Sequence, residues 1–174
     1  MSDVTAPSAA RAEQFVRAQL HETLVRLDCE GRVVAGLAGS WTIANDQLTL
    51  RLRNDARFWN GEPVTTRDVV AAWQVLANAP VDDAHRSLAR RLLASATLVD
   101  DHTLRLTMTV GDSLPRALAE GSLAIFRQRA NDWPLGTGSY RPAENSRTLS
   151  QSIRLDPVGP GAVPRLVVNG GIGA

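Results

Sequence analysis

The sequence has no lysine and only one cysteine, and each shortage removes a class of function. All 19 basic side chains are arginine, so the phosphate-binding loop with its obligatory lysine is absent. Cys29 has no second cysteine to pair with, which excludes a disulfide within the chain and a thiolate metal cluster. With 19 basic and 18 acidic residues and no run of one sign, the charge pattern indicates neither a nucleic-acid surface nor an anionic-membrane surface.

Long apolar segments are also missing. Nowhere does the sequence contain the run of about 18 apolar residues that a membrane-spanning helix requires, and residues 1–20 lack the apolar core of an export signal. We therefore expect a soluble chain without direct membrane insertion. Its 174 residues suit one ordinary domain and are too few for two full ones. We expect residues 1–9 to form a disordered start and residues 10–174 to form a single domain.

Two β-hairpins are predicted by the alternation of apolar and polar side chains. In residues 41–53 the turn is at Asn45-Asp46, and the alternating apolar residues are Leu48, Leu50 and Leu52. In residues 97–110 the turn is at Asp100-Asp101, and the alternating apolar residues are Leu104, Leu106, Met108 and Val110. One face of each hairpin is therefore expected in the core and the other in water.

Amphipathic helices are predicted where apolar residues recur at three- and four-residue spacing. These helices cover residues 10–27, 66–78, 83–95 and, as a short segment, about 113–120. The helix at 66–78 has the clearest start, because Thr65 suits the N-cap and Asp68 follows three residues later. The glycine-containing stretch at 29–41 is expected to be mainly loop. Hairpins and helices in this order indicate an α+β fold, with a mixed sheet covered by helices.

Residues with catalytic or metal-binding chemistry are scattered along the chain. His21, His85 and His102 each lie near acidic residues, but no two of them have the helical spacing of a metal-binding pair. Cys29 has no candidate base nearby in sequence, and Ser40 lacks the following glycine of a nucleophile elbow. We therefore predict no catalytic residue, no metal site and no cofactor, and a protein that is not an enzyme.

Glycines and tryptophans offer two further candidate sites. Gly136 and Gly138 lie in the stretch GTGSY, which has the first two glycines of a dinucleotide-binding loop, but Arg141 stands where the third belongs and no helical pattern follows. The four tryptophans are expected mainly as core anchors. For one of them, stacking on a ligand is as good an interpretation as packing in the core. The four are Trp41, Trp59, Trp73 and Trp133.

Three stretches occur in an order typical of one protein family. They are HETLVRLDCEGRVVAGLAGSWTIANDQLTLRLRNDARFWNGEPVTTRDVVAAW, SATLVDDHTLRLTMTV and PLGTGSYRP. Together they resemble the family 5 extracellular solute-binding proteins, which are the dipeptide, oligopeptide and nickel receptors of ABC importers. The resemblance covers residues 20–170. Ser139 departs from it, because the family signature has proline there, and family members continue for hundreds of residues beyond this length.

The resemblance implies a non-catalytic protein that captures a small peptide or other solute and passes it to an ABC transporter permease. It implies a periplasmic or extracytoplasmic location and a two-lobed fold that encloses the ligand. Residues 10–174 are then one lobe, incomplete relative to the family, and the motif RFWNGEPVTTRDVVAAW at residues 57–73 is part of its scaffold.

A cytoplasmic sensor is the alternative function. Related solute-binding modules are fused to bacterial transcription regulators, and residues 1–20 lack an export signal. The sequence has no basic recognition helix, which argues against direct binding of nucleic acid by this chain.

The candidate ligand contacts lie in the stretch SLAIFR at residues 122–127. It precedes the Gly136-Thr137-Gly138 turn, near the point where family chains approach the hinge between lobes. The resemblance therefore points to Ser122, Phe126 and Arg127 as ligand contacts. For Phe126 the alternative is that the ring simply packs beneath the loop, and the sequence leaves both interpretations open.

Overall fold

Helices and short strands alternate along the chain. The computed structural model describes residues 9–107, 113–130, 133–143, 152–158 and 165–169. The elements are, in chain order, α1 (Ala9–Leu20), β1 (Val25–Leu27), β2 (Val33–Ala35), β3 (Ala38–Ala44), β4 (Gln47–Leu52), α2 (Thr66–Asn78), α3 (Asp83–Ser95), β5 (Ala96–Leu98), β6 (Thr103–Thr107), α4 (Ser113–Ala117), a 3₁₀ turn (Gly121–Leu123), β7 (Tyr140–Pro142), β8 (Ser152–Pro157) and β9 (Leu166–Asn169).

A four-stranded sheet with the order β3-β4-β6-β5 forms the centre of the larger core. The β3–β4 hairpin turns at Asn45 and Asp46, whose φ angles of 50° and 56° fit the turn type that matches the twist of antiparallel strands. Strand β4 pairs with β6 so that Leu50 lies opposite Leu104, and both side chains are buried. Both predicted hairpins are confirmed, although residues 108–110 of the second lie outside the described residues.

Helices α2 and α3 pack together and share the larger core with the leucines of the sheet. Their bounds, Thr66–Asn78 and Asp83–Ser95, agree with the prediction. Helix α2 has its N-cap at Thr65 and buries Trp73, which is 1% exposed. Helix α3 follows Asp82, whose carboxylate accepts a hydrogen bond from the backbone N of His85 over 3.0 Å. Both amphipathic patterns therefore form helices that pack on the larger core, as the sequence predicted.

A second, smaller core lies between α1 and the three-stranded sheet β7-β8-β9. Its buried residues are Val16, Leu20, Tyr140, Ile153 and Leu155. Trp59 packs against this core and also against the larger one. Within the described ranges every pair of strands is antiparallel.

The first helix is shorter than predicted. The apolar spacing predicted a helix over residues 10–27, but α1 ends at Leu20 and Val25–Leu27 form a strand. That strand pairs with Val33–Ala35, so the prediction of a loop over residues 29–41 is also wrong in part. Of the predicted disordered start, the first eight residues lie outside the described residues.

Long-range hydrogen bonds explain why the helix stops at Leu20. The backbone N of Gly138 donates to the carbonyl oxygen of Leu20 over 2.9 Å, and the backbone N of Leu37 donates to that of Thr23 over 3.0 Å. These donors replace the helical ones, and a local apolar pattern does not reveal them. Phe15 is one of the apolar residues whose spacing predicted the helix and a buried position for its ring, but its side chain is 48% exposed.

Candidate functional site

The predicted contact segment, residues 122–127, lies at the surface with part of its length anchored in the larger core. Leu123 and Ile125 are buried there. Ser122, Phe126 and Arg127 are half-buried. The two buried side chains anchor this short segment, and Phe126 and Arg127 remain partly accessible on it, whereas the hydroxyl oxygen of Ser122 is buried.

Backbone hydrogen bonds fix the same segment at two points. The backbone N of Ile125 donates to the carbonyl oxygen of Glu22 over 2.8 Å. Arg127 and Leu135 exchange two backbone hydrogen bonds of 2.9 and 2.8 Å. Residues 125–127 are thus held between the end of α1 and the stretch that leads into the glycine turn.

The guanidinium group of Arg127 lies in a cradle formed by Phe58, Glu62 and Asp68, which we call the arginine cradle. Its Nε and Nη2 donate to Oδ1 of Asp68 over 3.0 and 2.9 Å, and Nη1 donates to the carboxylate of Glu62. The central carbon of the guanidinium lies 4.5 Å from the centre of the Phe58 ring, within the range of a cation–π contact. All three cradle residues come from the motif at residues 57–73, which the sequence predicted to be scaffold.

The two carboxylate oxygens of Asp68 accept hydrogen bonds from two different residues. While Oδ1 binds Arg127, Oδ2 accepts hydrogen bonds from the backbone N and the hydroxyl of Thr65, both over 2.8 Å. The second pair of contacts belongs to the predicted capping box at the start of α2. The sequence predicted the cap, but it gave no signal that the same carboxylate would meet an arginine 59 residues later.

Beside the segment lies an aromatic cluster of His21, Trp59 and Phe126. The His21 ring is stacked on Trp59 with centroids 6.1 Å apart, and its centroid is 5.7 Å from that of Phe126. Burial, with a smaller effect of the nearby Arg17 charge, lowers the pKa of His21 to about 4. The ring is therefore neutral at neutral pH and packs as an aromatic group, a role that the sequence did not reveal.

The glycine signature forms a close crossing between α1 and Trp59. A Cβ atom on Gly136 would lie 2.1 Å from the carbonyl oxygen of Leu20, and one on Gly138 would lie 2.2 Å from that of Gln19. The backbone N of Glu22 also donates to the hydroxyl of Thr137 over 3.0 Å. Because these glycines have no side chain, their backbone can approach that of α1 closely.

The other candidate residues of the sequence lie apart from this segment. Cys29 is exposed. His85 contacts two carboxylates: its Nε2 lies 2.7 Å from Glu120, and its Nδ1 contacts Asp82. Among the described residues no group of three or more histidine, cysteine or acidic side chains is arranged to hold a metal ion. No helix in the same ranges has the length and apolar character to cross a membrane.

Of the four tryptophans, Trp73 is the buried core anchor. Trp41, Trp59 and Trp133 are half-buried. Trp59 belongs to the aromatic cluster, next to the predicted contact segment. This position fits the stacking role that the sequence left open for one of the four tryptophans.

Comparison with known families decides the class of the protein. Residues 32–157, well over half of the chain, match the family model described as Bacterial extracellular solute-binding proteins, family 5 Middle. The chain belongs to this family. The family 5 membership confirms the resemblance seen in the sequence, and the matched residues include the arginine cradle, the second hairpin and the glycine signature.

Three relatives illustrate the likeness. A binding protein of Haemophilus influenzae is 32% identical over 172 residues, which cover 86% of this chain and 33% of the relative. The periplasmic oligopeptide-binding protein OppA of the same organism is 44% identical over 68 residues, which cover 38% of this chain and 13% of OppA. The crystal structure of H. influenzae OppA with the peptide RPPGFSPFR has 26% identity and a TM-score of 0.67, over 83% of this chain and 34% of that one.

The extent of these matches defines what part of a family 5 protein this chain represents. Most of this chain is matched in these relatives, but the chain spans only about a third of their length. Its combination of helices and sheets is consistent with one lobe of the family fold, and the predicted α+β class is confirmed.

Proposed function

We propose that this chain is the substrate-binding part of an ABC-type importer and captures a small peptide or similar solute without converting it chemically. The family 5 match over residues 32–157 carries the proposal. The relative OppA is named for binding oligopeptides and for a periplasmic location. The extracytoplasmic location of this protein and its delivery of ligand to a transporter permease are parts of the same proposal.

The proposed ligand contacts are Ser122, Phe126 and Arg127. Phe126 and Arg127 are supported by being half-buried on a segment with anchored backbone, so each offers surface in a fixed position. Ser122 is half-buried as a residue, but its hydroxyl oxygen is buried without a hydrogen-bond partner among the described residues, so its contact with a ligand rests on the family resemblance alone. Phe126 presents an aromatic ring next to His21. Within the described residues, hydrogen bonds to Asp68 and Glu62 use three of the five N–H groups of the Arg127 side chain. A ligand oxygen is a suitable acceptor for the other two.

The side chains around this segment suit binding better than catalysis. The carboxylates of Glu62 and Asp68 are engaged with Arg127, and the ring of His21 has a pKa of about 4. A general base needs a pKa near the working pH, so a neutral, stacked histidine does not fit that role. These observations support ligand capture as the proposed activity.

One lobe provides only part of an enclosed site. A concave site gains affinity by burying most of a small ligand and excluding water from its polar contacts. If the rest of the receptor supplied half of a micromolar binding free energy of about −8 kcal/mol, the remainder would correspond to roughly millimolar affinity. We therefore propose that this chain alone binds weakly or not at all, while the full gene product binds its ligand.

A cytoplasmic sensor, the alternative from the sequence, gains no support from these observations. Two of the relatives are named as periplasmic binding proteins, one for oligopeptides and one for nickel. The sensor is therefore not pursued as a second proposal.

Calorimetry tests the proposal. The 174-residue chain and the full gene product are titrated with a set of peptides of increasing length and with Ni²⁺. We expect the full product to bind a member of the set and Phe126→Ala to weaken that binding by about tenfold, the usual effect of losing a modest contact. Leu98→Ala is the matched control, because Leu98 is 46% exposed on a strand remote in sequence, and it should leave affinity unchanged.

Two outcomes contradict the proposal in different ways. A full gene product that binds no member of the set overturns the receptor function. Submicromolar binding by the 174-residue chain overturns the argument that one lobe is a partial site, and it makes this chain a complete binding module.

A further inference from the structure

Asp68 connects the start of α2 to the proposed ligand surface. Its Oδ2 accepts two hydrogen bonds from Thr65, and its Oδ1 accepts two from Arg127. Its side chain is only 11% exposed, so water competes little for either oxygen. The carboxylate is itself held at the rigid end of a helix, which makes it a fixed reference point for the arginine.

The geometry restricts the orientation of the Arg127 side chain. Two of its nitrogens, Nε and Nη2, bind the same oxygen of Asp68, so the guanidinium plane is defined along one edge. The Phe58 ring closes one face at 4.5 Å. The two N–H groups of Nη1 and the second N–H group of Nη2 lie away from that edge. One of those on Nη1 donates to the Glu62 carboxylate.

Glu62 is the weaker of the two carboxylate partners. Its side chain is 54% exposed, compared with 11% for Asp68. An exposed ion pair is screened by salt and contributes little, whereas a partly buried pair with two hydrogen bonds to one carboxylate contributes more. The orientation of Arg127 therefore depends mainly on Asp68.

We infer that Asp68 is a positioning residue of the ligand surface and that it acts through Arg127. By fixing the arginine, it holds residues 125–127 in register against Leu135 and aims the remaining N–H groups of Arg127 outward. The inference rests on the proposed function in one respect only, namely that Arg127 contacts the ligand. Its effect on the order of the segment is independent of any ligand.

The variant Asp68→Asn separates this role from the helix cap. The asparagine oxygen still accepts from Thr65, but its NH₂ group replaces the oxygen that accepts from Arg127 and places donor against donor. Arg127→Gln removes the other partner. Asp101→Asn is the matched control, because Asp101 pairs with Arg67 near the same end of α2 at 3.8 Å and is 61% exposed.

Amide hydrogen exchange of the 174-residue chain measures the order of the segment. We expect Asp68→Asn and Arg127→Gln each to speed exchange of the backbone N–H groups at positions 127 and 135 by about tenfold or more, because local opening becomes easier. The double variant should show no further increase, since both changes break one interaction. The amides of β4 and β6 report global unfolding and should stay protected, as should all of these amides in Asp101→Asn.

Binding by the full gene product measures the consequence for the ligand surface. Calorimetry with the peptide RPPGFSPFR and with trialanine should show affinity about tenfold weaker in Asp68→Asn and in Arg127→Gln, and no further loss in the double variant. The affinity of Asp101→Asn should match that of the unmodified protein.

The exchange and binding measurements test different parts of the inference. Unchanged exchange at Arg127 and Leu135 in both single variants, or additive effects in the double variant, overturns the positioning role of Asp68. Faster exchange with unchanged affinity shows that Arg127 is ordered but does not serve the ligand, which also overturns the inference. If the unmodified full product binds neither peptide nor Ni²⁺, the proposed function fails, while the exchange experiment still decides whether Asp68 orders the segment.

Discussion

The indole Nε1 of Trp59 donates a hydrogen bond to the carbonyl oxygen of Gly138 over 3.0 Å, across 79 positions of sequence. The backbone N of Trp59 also donates to the carbonyl oxygen of Gly136 over 3.1 Å. The same side chain packs against both hydrophobic cores. Trp59 therefore joins the motif at residues 57–73 to the glycine signature and the larger core to the smaller one.

We expect Trp59→Phe to lower the free energy of unfolding by about 1 to 2 kcal/mol. Phenylalanine keeps a ring in place but removes the indole donor from the Gly138 carbonyl, and losing one partner of a partly buried hydrogen bond costs about this much. Urea denaturation followed by circular dichroism measures the change. Trp41→Phe, the same substitution at a half-buried position, should cost less than half as much, and equal losses would mean that the indole hydrogen bond contributes nothing.

Gly136→Ala should destabilise the protein by about 3 kcal/mol or more, at the upper end of overpacking effects. The added methyl group would lie 2.1 Å from the Leu20 carbonyl oxygen and 2.4 Å from the Trp59 ring. The control is Gly121→Ala, where no atom lies within 4 Å of the added group and the change should stay within about 0.5 kcal/mol. Thermal and urea unfolding compare the two, and equal stability would contradict the close crossing.

Trp73→Ala should cost about 3 to 5 kcal/mol, the usual range for deleting a large buried aromatic side chain. Trp73 is 1% exposed in the larger core, whereas Val75 on the same helix is 40% exposed. Val75→Ala is therefore expected to change stability by less than about 1 kcal/mol. Chemical denaturation measures both variants. A loss below about 1 kcal/mol for Trp73→Ala would show that the side chain is not a core anchor.

His21 should make the fold less stable as the pH falls. Its pKa is about 4 in the folded chain and near 6.5 when unfolded, so the unfolded state binds more protons between these values. The neutral ring contributes its full stability above about pH 6.5, and up to about 3 kcal/mol is lost as the pH falls through 4. His21→Phe should flatten the pH dependence of the urea midpoint over this interval. An unchanged slope would contradict the lowered pKa.

His85 should behave in the opposite way. The Glu120 carboxylate, and to a smaller extent that of Asp82, accepts a hydrogen bond from the protonated ring and so raises its pKa. The contribution of His85 to stability is therefore complete below the unfolded pKa and is lost as the pH rises through the folded one. Carbon-detected NMR titration distinguishes the two rings, with His21 titrating below 6.5 and His85 above it. His85→Gln should remove the upper transition and leave that of His21 in place.

The sequence predicted those features whose causes are local. Alternating leucines defined the hairpins, and residues Asn45 and Asp46 tolerate the positive φ angles of the turn between β3 and β4. The start of α2 at Thr65 followed from the capping pattern. Each of these depends on side chains within a few positions of one another, which a pattern in one sequence contains.

The features that escaped prediction depend on partners far away in the chain. Val25 pairs with Ala35 although the local spacing favoured a helix, because sheet pairing and backbone contacts outweigh a weak helical preference. The sequence predicts Asp68 only as part of the helix cap, because its second partner, Arg127, is 59 positions away. The proposed ligand contacts came from the family resemblance. The structure adds the arginine cradle around Arg127 and the aromatic cluster that includes Phe126.

Thr137 accepts a hydrogen bond from the backbone N of Glu22, across 115 positions of sequence. On the ribosome, α1 is therefore made long before the residues that cover it. At about 5 to 20 residues per second the delay is roughly 6 to 25 seconds. During this time the hairpins and helices of the larger core are being made, and Val16 and Leu20 are still without the strands that bury them. The order of synthesis therefore leaves the apolar face of α1 without its partners until β8, which is made after the hairpins and helices of the larger core.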